Sequence, residues 1–228
     1  MSNSDWVLIV TTLFLGAIAI WGESIKKWFD RPKITVTFFE VSPFCHKTYY
    51  RNSLSLPEVD EPVFFFRFMV QNTGKAKLRR CEGVLNQLWT YDSAGRPHKI
   101  SGFNDVSLRW AQNDKLSIMD LDPYRTKFCN IGHLASPQYQ KHFESGNRVI
   151  DIPGNHEEKL RFIFEQTEYP HSQPNCLVPG TYAIKITLYS ENVPPVELWF
   201  QIAWSGKWQD TETEMFRELT INQISKLE

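Results

Sequence analysis

The chain has 228 residues and a formal net charge of −1, with both signs interspersed, which leaves no basic footprint for nucleic acid. Hydrophobic residues at 42% and charged residues at 22% are those of a globular chain and exclude a disordered one. Aromatic residues reach 14%, and such side chains suit the half-buried surface of strands.

Residues 6–22, from Trp6 to Gly22, carry no charge. At about 1.5 Å per residue this stretch reaches about 25 Å as a helix, close to a hydrocarbon core of about 30 Å. Trp6 and Trp21 bracket it as interface residues. The segment is therefore expected to be a single transmembrane helix, within an anchor and juxtamembrane unit covering 1–30. No Lys or Arg precedes it, whereas Lys26, Lys27, Arg31 and Lys33 follow. That asymmetry predicts a short N-terminus outside and the remaining chain in the cytoplasm of a prokaryotic inner membrane. Trp21, Ile25, Trp28 and Phe29 share one helical face, so Trp28, Lys26 and Lys27 are expected at the membrane interface. Arg31-Pro32 ends the helix.

From Lys33 the period changes to two. Ile34, Val36 and Phe38 mark a first strand over 33–41, and 42–60 is expected to be a long loop. Val63–Gln71 is apolar on both faces, as in a central strand. Asn72-Thr-Gly-Lys75 turns the chain into a strand over 78–91, and Asp92-Ser-Ala-Gly95 turns it back. Shorter strands are predicted at 106–111, 115–121, 125–131 and 159–166. Residues 178–189 and 196–202 form a hairpin, with Asn192-Val-Pro-Pro195 as its turn. The sandwich domain is thus expected over 33–210. The segment 211–228 is readable as a short helix or an edge strand.

Strands without long helices between them predict an antiparallel sandwich, an all-β fold behind one N-terminal helix. Phe66-x-Phe68-x-Val70-x-Asn72-x-Gly74-Lys75 with Cys81, Gly83 and Leu85, and the later Pro179-Gly180-Thr181-Tyr182, resemble the hairpins of immunoglobulin-like and CARDB-like β-sandwich domains. The resemblance implies adhesive or scaffolding roles and carries no catalytic residues.

The chemistry-bearing residues do not converge. Cys45, Cys81, Cys129 and Cys176 form no CxxC pair and are expected as free, buried thiols. The histidines lack HxH or HxxxH spacing, so no metal or cofactor is predicted. Cys45-His46 suggests a nucleophile pair, but neighbours on an extended chain point apart. Two aromatic groups suit a partner: Tyr49, Tyr50 and Arg51 in the first loop, and Trp204 with Trp208 around a glycine turn. The expected function is a membrane-tethered binding or scaffold module that meets the bilayer through 6–22 and offers a protein-interaction surface. Two alternatives stand beside it: an extracytoplasmic domain binding polysaccharide or peptide, and a hydrolase with a loop-borne site.

Overall fold

The computed structural model describes residues 30–51, 60–111, 117–137, 140, 160–168 and 174–227, together with 6–7, 10–16, 18 and 21–22. The fold is mostly antiparallel β, in two sheets. The first holds β1 (Ile34–Thr37), β2 (Cys45–Arg51), β3 (Asp60–Asn72), β8 (Thr126–Ala135), β9 (Phe162–Phe164) and β10 (Cys176–Leu177). The second holds β4 (Leu78–Tyr91), β5 (Pro97–Lys99), β6 (Val106–Ser107), β7 (Ile118–Leu121), β11 (Gly180–Ser190), β12 (Val193–Trp204) and β13 (Leu219–Ile224). Their orders are β1-β3-β8-β9-β10 and β13-β12-β11-β4-β5, with β2 also on β3, and β6 and β7 on β4.

The two sheets face each other across one core. Alternation along β3 sends Phe64, Phe66, Phe68 and Val70 inward, all fully buried. Phe68 stacks on Phe200 of β12 at 6.2 Å, and Phe38 meets the same ring edge-on at 5.2 Å. Gly83 lets the sheets approach closely, because a Cβ there would overlap the Sγ of Cys129. Alternate β3 residues Val63 and Phe65 pack on Ala135 in a second, smaller apolar group. The central-strand expectation for β3 therefore holds, with β8 along one edge and β1 and β2 along the other.

One side of the sandwich is stitched by backbone. The chain leaves β6 on the second sheet and enters the first, where Leu108 bridges Gln166 and Trp110 bridges Cys129. Arg109 donates its N–H to Glu165 O at 2.9 Å and accepts from Asn130 N at 2.9 Å. The opposite side exposes strands β2 and β13, and carboxylates cover it. Lys47 N–H donates to Glu212 Oε1 at 2.6 Å, and Ile221 N–H donates to Glu40 Oε1 at 3.0 Å. Each carboxylate occupies an edge N–H that would otherwise template a further strand.

Several expectations change. The loop over 42–60 contains β2, paired with β3 from Cys45↔Phe66 to Arg51↔Asp60. An edge strand needs only partial burial, so it lacks the apolar alternation that reveals a central one. Between β1 and β2 the chain detours through Phe38–Phe44, which inserts two buried rings. Pro194 and Pro195 belong to β12 rather than to its turn, near a register irregularity between Leu188 and Ser190 where ladder bonds are not required. The C-terminal segment holds both readings in succession, α1 (Glu212–Glu218) and then β13. Thr211 caps α1 by accepting from Glu214 N, and Met215 anchors it in the core.

Among the described residues no helix is long and apolar enough to cross a membrane. Those of 6–22 that are described are helical, and Trp6, Val7, Val10, Leu13, Phe14, Leu15, Ile18 and Trp21 are all at least half exposed. Lys26, Lys27 and Trp28 lie outside the described residues.

Candidate functional site

Of the two predicted aromatic groups, the β2 strand that carries the first and Trp208 of the second meet through Phe64 at one corner of the open side. Tyr49 stands on β2 opposite Pro62 and is 62% exposed. Tyr50 and Arg51 continue β2 opposite Glu61 and Asp60, on a strand instead of the predicted loop. Two residues before Tyr49, Lys47 pairs with Phe64 and donates through Nζ to the Asp210 carbonyl at 2.6 Å. Trp208 packs edge-on against that same Phe64 at 5.2 Å and donates Nε1–H to Asp210 Oδ1 at 2.9 Å.

Trp204 is not a surface residue. It ends β12 opposite Gly180, is 3% exposed, and donates Nε1–H to the Leu160 carbonyl at 3.0 Å. The alternation of Leu198, Phe200 and Ile202 runs on to it, so it caps the core. Trp208 is half-buried, whereas Tyr49 is exposed. Sequence reasoning missed two neighbours on the β1–β2 detour, Phe39 and Val41, each more than half exposed. They escape a periodicity search because the detour has no period. Phe39, Val41 and Tyr49 thus give the β1–β2 edge an exposed apolar fringe, while Glu212 blocks strand addition at Lys47.

The thiols offer no nucleophile here. All four cysteines are free and buried. Cys45 faces the core, and burial first, then the charges of Glu40 and Glu212, push its thiol up to about 12. Burial likewise raises Cys81 and Cys129. A neutral thiol is a weak nucleophile. His46, the next residue along the strand, stacks instead on Phe65 at 6.5 Å. Burial, helped by the charge of Arg67, lowers its affinity for a proton. Successive strand residues face opposite ways, so the thiol and the imidazole of this pair are separated by the sheet.

A row of facing residues that includes two histidines crosses the first sheet. His46, Phe65, His133 and Ile163 stand opposite one another on four adjacent strands. His133 Nδ1 lies 2.5 Å from Glu165 Oε1, and both residues are buried. Burial favours the neutral carboxyl, but the hydrogen bond and charge of His133, with the charge of Arg109, outweigh it and hold Glu165 below its ordinary value. A carboxylate placed this way fixes one ring nitrogen of an imidazole. Here it ties β8 to the segment after β9. Among the described residues no group of three or more His, Cys, Asp or Glu side chains is arranged to hold a metal ion. No family model, curated protein or solved structure matches the chain, so the geometry alone carries its reading.

Proposed function

We propose that the chain is a membrane-tethered, immunoglobulin-like β-sandwich that holds a protein partner at the inner face of a membrane. The helical stretch 10–16 carries this reading: Val10, Leu13 and Phe14 share one face, Leu15 lies about 140° round from Val10, and all four are 60–69% exposed. A broad exposed apolar face on a helix is costly in water and suited to hydrocarbon. The basic residues that follow it in sequence, and the four free thiols, favour a domain on the cytoplasmic side.

Strand order supports the immunoglobulin-like assignment. The series β1-β3-β8 corresponds to A-B-E of that fold, and β12-β11-β4-β5 to G-F-C-C′. Two features depart from it: β9 joins the edge of β8 after it in sequence, and β13 extends the G side. Such a scaffold binds through side chains at its edges and loops. The exposed fringe of Phe39, Val41 and Tyr49 is the surface proposed for the partner, and tethering raises the effective concentration of anything else in the membrane.

A photo-crosslinking residue at position 39 or 49 of the full chain, expressed in a bacterial membrane, tests this surface. Both positions should yield the same single adduct, and position 93, in the Asp92–Gly95 turn, should yield none. Equal adducts from all three positions, or none from 39 and 49, would remove the fringe as the partner surface.

A further inference from the structure

The fold gathers at one end several basic residues that are scattered in sequence. Arg31, Lys33, Lys75, Arg79, Arg80 and Arg125 are all exposed. They lie at one end of the sandwich, where β3 turns into β4, β7 into β8 and β11 into β12. A further cation there, Lys77, reaches Asp120 at 3.5 Å and Asp122 at 3.3 Å. Among the described residues, Glu191 and Asp30 also lie at this end. The opposite end carries both signs, with Asp92, Asp210 and Glu214 beside Arg96, Lys99, Lys207 and Arg217.

Asn72, fully buried, builds this basic end. Its Oδ1 accepts from Lys33 N at 3.4 Å and Gly74 N at 3.0 Å, and its Nδ2 donates to Ala76 O at 2.8 Å and Leu121 O at 3.1 Å. Its backbone carbonyl accepts from Tyr124 N at 2.8 Å, and its N–H donates to Arg125 O at 3.0 Å. One side chain thus locks together two loops and the segment that leads in from the N-terminal helix. Gly74 lies directly beneath that segment, since a Cβ there would overlap the backbone of Arg31, Pro32 and Lys33. The two described non-glycine residues with positive φ, Arg80 at 50° and Tyr124 at 60°, also sit here. Tyr124 is 64% exposed.

We infer that this end is a docking face for an anionic lipid surface, with Tyr124 at the interface and the basic ring over the headgroups. The inference rests on the membrane-tether reading and deepens it. Two observations favour lipid over any other polyanion. The chain from the apolar helix enters the domain at this end, so the bilayer is the anion held closest to it. An exposed tyrosine amid basic residues is also the composition of membrane-interface belts. Each basic residue near an anionic leaflet strengthens the association about fivefold, and the effect fades beyond a Debye length. The docked pose sets the fringe of Phe39, Val41 and Tyr49 to the side, open to a neighbour in the membrane.

The test uses the full chain in nanodiscs of phosphatidylcholine, with or without phosphatidylglycerol. A single cysteine at Glu191→Cys, at the basic end, or at Ser93→Cys, at the other, carries an environment-sensitive fluorophore; the native thiols are buried and do not compete. Adding phosphatidylglycerol should shift the label at 191 to the blue and leave that at 93 unchanged. High salt should reverse the shift, and Lys75→Glu with Arg125→Glu should abolish it while the chain stays in the disc. A chain that stays in the disc with no lipid-dependent change at 191 overturns the docking face and leaves the tether intact. A chain that does not enter discs at all overturns the tether and the face together. A shift at 191 produced by an oligonucleotide, and not by anionic lipid, makes the partner a nucleic acid and overturns the inference.

Discussion

Phe68→Ala is expected to lower the unfolding free energy of the domain by about 3–5 kcal/mol. Phe68 is fully buried, and its ring stacks on Phe200 of the opposite sheet at 6.2 Å. Removing it opens a void between the sheets, bordered by Cys129 and Gly83, where neither backbone can collapse without breaking its ladders. Most domains have about 5–15 kcal/mol of stability in total, so the variant should sit near the edge of folding. Denaturant titration followed by tryptophan fluorescence measures the loss. The exposed Tyr49→Ala should change the same quantity by less than about 0.5 kcal/mol. Equal effects at the two positions would mean that the sheets do not share the described core.

The second large effect belongs to Glu165. Replacing it with alanine leaves the buried ring nitrogen of His133 without its hydrogen-bond partner and should cost about 1–3 kcal/mol. Replacing both residues with leucine should recover much of that loss, because a packed apolar pair avoids the desolvation of charge. Acid provides an independent check. Glu165 lies below its ordinary value of 4.5 in the folded state, so it contributes stability fully above pH 4.5 and loses it as pH falls through the lower folded value. The native chain should therefore lose stability more steeply below pH 4.5 than Glu165→Gln. Parallel pH curves would show that the pair contributes nothing through its ionisation.

What could be read from sequence depended on whether a residue's partner was local. The hairpin of β11 and β12 declares itself through Tyr182, Ile184, Ile186 and Leu188 alternating across a short turn from Leu198, Phe200 and Ile202. The apolar run in β3 marks a strand covered on both faces. In contrast, β2 shows one core residue, Cys45, beside polar neighbours, because its outer edge is closed by Glu212 from a helix far along the chain. The crossing at Leu108–Trp110 is held by single bridges to Gln166 and Cys129, which leave no periodic trace. The candidate surface follows the same rule. Tyr49 was legible as an exposed aromatic, whereas Trp204 required following the β12 alternation through to its end. The His133–Glu165 pair is separated by 32 positions and only the β8–β9 pairing brings it together. The basic end is assembled from the segment before β1, the β3–β4 turn with the start of β4, and the β7–β8 turn, which is why interspersed charges in the sequence concealed it.

The tether is the central claim, and alkaline extraction of isolated membranes tests it most directly. The full chain should remain in the membrane pellet after a carbonate wash, which strips proteins held only by charge. Leu13→Arg with Phe14→Arg, each costing about 3 kcal/mol of insertion, should move the chain to the soluble fraction without unfolding the sandwich. Release of the unsubstituted chain by the wash would contradict the account.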